Sequence, residues 1–224
     1  MISWDSLAVW ANNKNYLRLF KVSDGAVLRI TIPVGVLRVD VWDRNEIKVD
    51  GRLQEETLEI KDRQVGNSVE IEVFCSKVGR AELEAMVPRD CTLDLKCLKG
   101  PIEINGVKGQ IAAQTTEGDI LLSEIDSVNV TAKTISGSVR YQGLVDTTGI
   151  YNFQSVESLI EVSLPSDSRF TLMATTLNGK VELGEFQPTN VVTKGKRLMG
   201  KYAGGGAMLN LSTQNGKIRL RRLK

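Results

Sequence analysis

The side chains with chemistry to offer are carboxylates, because the sequence holds no histidine. That removes Ser-His and Cys-His nucleophile pairs, His-ligated metals and the commonest general base. A catalytic pair would have to come from acids such as Asp40, Asp43, Glu103, Asp119, Glu161 and Glu182, with each other or with Lys, Arg or Tyr. Each stands alone at an offset expected to face water, and nothing in the spacing forces two together. The reading is a solvated face, with no catalytic residue, no metal site and no cofactor.

Two further patterns resemble chemistry and fail on detail. Gly195-Lys196-Arg197-Leu198-Met199-Gly200-Lys201-Tyr202 matches the G-x-x-x-x-G-K core of a phosphate loop. However, Tyr202 stands where a Ser or Thr must hold Mg²⁺, and Gly204-Gly205-Gly206 blocks the helix that should follow. Cys75, Cys91 and Cys97 are odd in number and lack C-x-x-C spacing, which disfavours disulfides and thiolate metal sites and suits small apolar fillers. The densest charge is Lys194, Lys196, Arg197, Lys201 and then Arg219, Arg221, Arg222, Lys224. Without interleaved aromatics it is no nucleic-acid footprint, and it is expected to cover the last unit of a stack.

The elements that must position these residues are unusually regular. Six times a short phrase returns around a turn residue: Gly100, Gly118, Gly137, Ser158, Gly179 and Gly216. Apolar or small residues sit seven, five and three places before it and two and four places after, as in Ile111-Ala113-Thr115, Gly118, Ile120-Leu122. Period-two alternation makes both arms strands. The turns are 18, 19, 21, 21 and 37 residues apart, the last gap close to two units, as though Pro188 to Gly206 replaced one.

Between the arms the step is odd, so the turn must reset which way side chains point, and glycine can do so through a positive φ. Ser158 predicts a looser turn. The column three places before the turn reads Cys97, Thr115, Thr134, Ser155, Thr176, Thr213. It is read as a buried corner whose hydroxyls bond a turn amide or the neighbouring unit, not as a ladder displayed to a ligand. Leu28-Ile30-Ile32, Gly35, Leu37-Val39 repeats the offsets and predicts a first unit of the same kind, with less regular strands over 46–49, 57–60, 68–74 and 82–87 separated by Asp50-Gly51, Gly66-Asn67 and Gly79. Helix is confined at most to a turn or two near Trp4, Leu7 and Trp10.

The fold class is therefore all-β. A β-solenoid, with like positions stacked in parallel, fits the offsets. So does an antiparallel hairpin meander, for which Asn178-Gly179 and Asn215-Gly216 are good turns. Near-constant chemistry in every column favours stacking.

Composition sets the remaining bounds. With 224 residues, 42% of them hydrophobic, one elongated domain is expected. A net charge of +2 gives no bulk case for nucleic acid or an anionic membrane. The first twenty residues lack a secretory signal and no stretch is long enough to span a membrane, so the expected location is cytoplasmic, or surface-associated if a targeting segment lies outside this sequence. The Asn129 and Asn210 sequons fall inside expected strands and are read as coincidence.

The phrases Thr115 to Ile120, Thr134 to Val139, Ile160 to Pro165 and Ala203 to Ile218, with the opening from Phe20 to Asp43, resemble the bacterial putative-adhesin family over about residues 18–222. The resemblance implies a right-handed β-helix-like solenoid over 20–224, preceded by an extension over 1–19, and carries no catalytic residues. It implies a non-enzymatic structural or binding module presenting flat strand faces to a protein or glycan partner. A carbohydrate-active β-helix enzyme using carboxylates stands as the alternative, and self-assembly through the solenoid ends as a further possibility.

Overall fold

Alternating apolar and polar residues punctuated by turns fold here into strands alone. The computed structural model describes residues 15–54, 58–75 and 79–223, and its twenty elements are all strands. The Trp4 to Trp10 stretch lies outside the described residues. The chain opens with β1 (Asn15–Lys21), the long β2 (Val27–Trp42), β3 (Glu46–Gln54), β4 (Leu58–Val65), β5 (Ser68–Cys75) and β6 (Arg80–Pro88). Arms then alternate: β7 (Thr92–Lys99), β8 (Ile102–Asn105), β9 (Ile111–Glu117), β10 (Ile120–Ile125), β11 (Asn129–Thr134), β12 (Val139–Gly143), β13 (Ile150–Ser155), β14 (Ile160–Leu164), β15 (Phe170–Thr176) and β16 (Val181–Glu182). The hairpin of β17 (Thr189–Lys194) and β18 (Arg197–Tyr202) precedes the last pair, β19 (Ala207–Thr213) and β20 (Ile218–Arg222). β1 thus begins inside the stretch read as an extension.

First arms pair with first arms and second arms with second arms, in parallel. The first-arm face runs β4-β5-β2-β7-β9-β11-β13-β19-β15-β18-β17. The second-arm face runs β1-β3-β6-β2-β8-β10-β12-β14-β20-β16. Because β2 contributes to both, all twenty strands form one sheet folded over on itself. Equal offsets become equal places: Ile102, Ile120, Val139, Ile160, Ile218 and Val181 are successive cross-strand partners. Between the faces the volumes compensate, with alanine at 113, 132 and 174 and aromatics at Tyr141 and Phe153, whose rings lie 5.1 Å apart. The hairpin meander would make the repeats antiparallel, yet antiparallel pairing is confined to the two ends.

The corners explain the glycines, with one correction. A Cβ on Gly118 would overlap the carbonyl of Gly100, and one on Gly100 would overlap that of Gly35, so each unit rests directly on the backbone of its neighbour. Gly100 adopts φ 136°, as the parity reset requires. Gly179 and Gly216 do not have positive φ, and close approach to the next backbone is what demands glycine there. Ser158 is not in a looser turn. Its N–H donates to Ser155 Oγ at 3.1 Å, as Gly179 and Gly216 donate to Thr176 and Thr213 at 3.0 Å each. The hydroxyl column is buried and donates across units: Thr115 to Gly100 O (3.1 Å), Thr134 to Gly118 O (3.0 Å), Ser155 to Gly137 O (2.8 Å) and Thr176 to Gly216 O (3.1 Å).

Chain order and spatial order part company at both ends. β19 and β20 lie between the β13–β14 unit and the β15–β16 unit, so the last repeat in sequence is not the last in the stack. The stretch from Pro188 to Gly206 does not replace a unit; it forms a hairpin paired antiparallel to β15. At the other end β2 lies between β6 and β8 and between β5 and β7. The expected break at Asp50-Gly51 is instead continuous strand, because Gly51 leaves room for Tyr16 and Leu83 packed over it.

Each end of the core is closed by side chains. Tyr16 Oη donates to Asp62 at 3.0 Å and Arg18 pairs with the same carboxylate at 3.3 Å, joining β1 of one face to β4 of the other. Burial, reinforced by Asp62, pushes the Tyr16 hydroxyl far above its ordinary value. At the opposite end Phe170, Phe186 and Tyr202 form a three-ring plug with centroids 5.0 to 5.5 Å apart.

Candidate binding face

The two outer faces carry different chemistry. On the second-arm face, charges form a ladder across the strands. Arg38 reaches Glu103 at 3.0 Å and Glu84 at 3.4 Å, Arg140 reaches Asp119 at 3.0 Å, and Arg219 reaches Glu182 at 2.9 Å and Glu161 at 3.4 Å. Arg221 adds a second contact to Glu161 at 3.1 Å and Lys217 one to Glu182 at 3.2 Å. Hydrogen bonds from Arg219 and then Lys217 hold the Glu182 carboxyl below its usual range.

This ladder decides the fate of the acids. Asp40 accepts from Asn105 at 3.1 Å, Asp43 lies in the exposed bend between β2 and β3, and the other four are tied to cations. Glu161 and Glu182 do come near a common point, which the spacing did not suggest, but Arg219 stands between them and pairs with both. A general acid needs the opposite environment. The hollow on this face, lined by Arg38, Asp40, Glu103, Asn105, Leu121 and Ser123, holds only about 140 Å³.

The basic cluster divides. Lys194, Lys196, Arg197 and Lys201 belong to the end hairpin, where a cap is expected, whereas Arg219, Arg221 and Arg222 lie on β20 and face glutamates in the body of the stack. The expectation that the second group covers the last unit fails because β20 is inserted between β14 and β16. Lys224 lies outside the described residues. The phosphate-loop lookalike is the β17–β18 turn and β18 itself, with Gly195 at φ 60° and a strand where a helix would be needed. Cys91 and Cys97 are buried, which pushes their thiols up to about 12 and about 11.

The first-arm face is dominated by amides and hydroxyls over its later strands. Thr131, Asn152, Asn210 and Met173 occupy one cross-strand row, and Lys133, Gln154, Ser212 and Thr175 the next. Asn210 Nδ2 donates to Asn152 Oδ1 at 2.9 Å, which sets the orientation of both amides. Together with Arg197 these residues line an open depression of about 400 Å³. A second, about 430 Å³, lies nearer the N-terminal end between Thr31, Phe74, Lys96, Leu98 and Gln114. Strand alternation predicts that both rows face water and singles out neither. The available signal was compositional: no Asp or Glu occurs in β11, β13, β15, β17, β18 or β19.

No group of His, Cys, Asp or Glu suited to a metal occurs among the described residues, and no helix there is long and apolar enough to cross a membrane. No protein-family model matches the sequence, and neither does any curated protein. Among solved structures, a putative cell adhesion protein from Clostridium sporogenes superposes with a TM-score of 0.53 at 14% identity, covering 95% of this chain and 100% of that one. The two share a fold. A putative adhesin from Bacteroides fragilis (TM-score 0.42, 8% identity) and a putative lipid binding protein from Parabacteroides distasonis (0.40, 13%) are more distant, each covering 95% of this chain and 98% of the other.

Proposed function

We propose that the chain is a β-solenoid of the right-handed β-helix type, one domain over about residues 20–224, related to the bacterial putative adhesins. It acts as a non-enzymatic, surface-associated binding module that presents a flat strand face to a glycan or protein partner. The observation that carries this reading is the contrast between faces. Side chains of the second-arm face are spent on one another in ion pairs, while the first-arm face around Asn152 and Asn210 offers hydrogen-bonding groups over a depression of ligand size. The shared fold with the Clostridium protein supports it. Against the carbohydrate-active alternative stands the pairing of Glu103, Asp119, Glu161 and Glu182 with arginines.

The test compares wild type with Asn152→Ala/Asn210→Ala on the first-arm face and Leu121→Ala/Ser123→Ala on the other, each probed against an array of neutral and charged glycans and against matrix proteins. Loss confined to the Asn152/Asn210 variant is expected. Loss confined to the Leu121/Ser123 variant, or release of new reducing ends from a bound glycan, overturns the reading.

A further inference from the structure

The later half of the first-arm face is charged in one sign only. The six strands β11, β13, β19, β15, β18 and β17, adjacent in that order, contain no Asp or Glu. Lys133, Arg197, Lys201 and Lys194 are all exposed there. Lys133, Gln154, Ser212, Thr175, Arg197 and Lys194 are successive partners along one row. Four strand steps separate Lys133 from Arg197, about 19 Å at the usual spacing. Both border the 400 Å³ depression, and between them lie amides and hydroxyls. Neither cation has an ion-pair partner among the described residues, in contrast to Arg38, Arg140 and Arg219 on the opposite face.

Resting on the binding-module reading above, we propose that this row binds an acidic saccharide chain, one whose sugar residues carry carboxylate or sulfate groups. Cations at the two ends of the depression meet the anionic groups of successive sugars. Asn152, Gln154 and Asn210 each offer both a donor and an acceptor, the combination that sugar hydroxyls need, and the Met173 thioether gives an apolar contact for a ring's C–H face. A row longer than one sugar suits a chain.

Other anionic partners use less of what is present. Nucleic acid would want exposed aromatics for stacking, but Tyr151, Phe153 and Phe170 point into the core. An anionic bilayer would meet the lysines but leave a concave row of amides unused. A second copy of this face would bring like charges together.

The experiment measures binding to heparin, polygalacturonate, neutral dextran and phosphatidylserine vesicles at about 0.15 M salt, a concentration that screens diffuse attraction. It uses wild type, Lys133→Gln/Arg197→Gln, and Arg140→Gln on the opposite face. Wild type and Arg140→Gln should bind heparin, polygalacturonate or both, and the double variant should bind on the order of tenfold more weakly with its melting temperature unchanged. Heparin alone would assign sulfate, and polygalacturonate alone carboxylate. Equal binding by the double variant, equal binding of dextran, or stronger binding to phosphatidylserine vesicles than to either polyanion overturns the proposal. If neutral glycans bind through Asn152 and Asn210 while both polyanions fail, this inference falls and the binding-module reading stands.

Discussion

Arg219 donates through Nε to Glu182 at 2.9 Å, although the strand carrying Glu182 comes 37 residues earlier and is not that strand's neighbour in sequence. Glu161 flanks the same guanidinium from the other side. Stacked in chain order, β14 and β16 would set Glu161 directly against Glu182, a like-charge pair. Inserting β20 turns repulsion into a Glu-Arg-Glu sandwich. The other displaced strand does the same, with Arg38 of β2 between Glu84 and Glu103.

Arg219→Glu should therefore lower the melting temperature more than Arg219→Gln, with the difference shrinking as salt is added. A carboxyl held below its unfolded value, as Glu182 is, adds stability above the ordinary carboxylate range and surrenders it as pH falls through its own folded value. Acid melts of wild type should fall over that window, and those of Arg219→Gln should fall less. Parallel acid profiles for the two proteins would remove the ladder's role.

Gly118→Ala forces a Cβ into the Gly100 carbonyl, where backbone cannot yield. A loss of about 3 kcal/mol in urea unfolding is expected, at the high end of overpacking. Gly66→Ala, in open space at φ 57°, should lose only about 1 kcal/mol.

Thr134→Val keeps the shape of the corner and deletes the hydrogen bond to Gly118 O. Unfolding should show a cost of about 1 to 2 kcal/mol. Thr134→Ser should recover most of it.

In a Cys75→Ser background, Cys91 and Cys97 should resist a thiol reagent at pH 8 in the folded state, since burial holds both as neutral thiols. Their labelling should track global unfolding in urea. Fast labelling without denaturant would show that the corner opens locally.

The columns were legible in the sequence because a repeat places the same demand on every unit: Ile120, Val139 and Ile160 recur at one offset and are partners in space. The order of the units was not. Apolar columns are interchangeable, so nothing in Leu209 or Ile218 says which neighbours they take. That information sits in outward residues, Glu161, Arg219 and Glu182, whose pairing appears only once strands are laid side by side. The candidate binding face was half legible. Its lack of acids can be read from six short segments, but β19 enters between β13 and β15, and only there does Asn210 meet Asn152.

The interleaved C-terminus also bears on how the polypeptide is made. A ribosome releases β15 and β16 before β19 and β20, yet the later pair belongs beneath the earlier one. Winding cannot simply keep pace with synthesis, since whatever settles on β13 and β14 first must leave the place open until β19 and β20 emerge. Loss of the last two strands would thus open a gap inside the structure instead of shortening it.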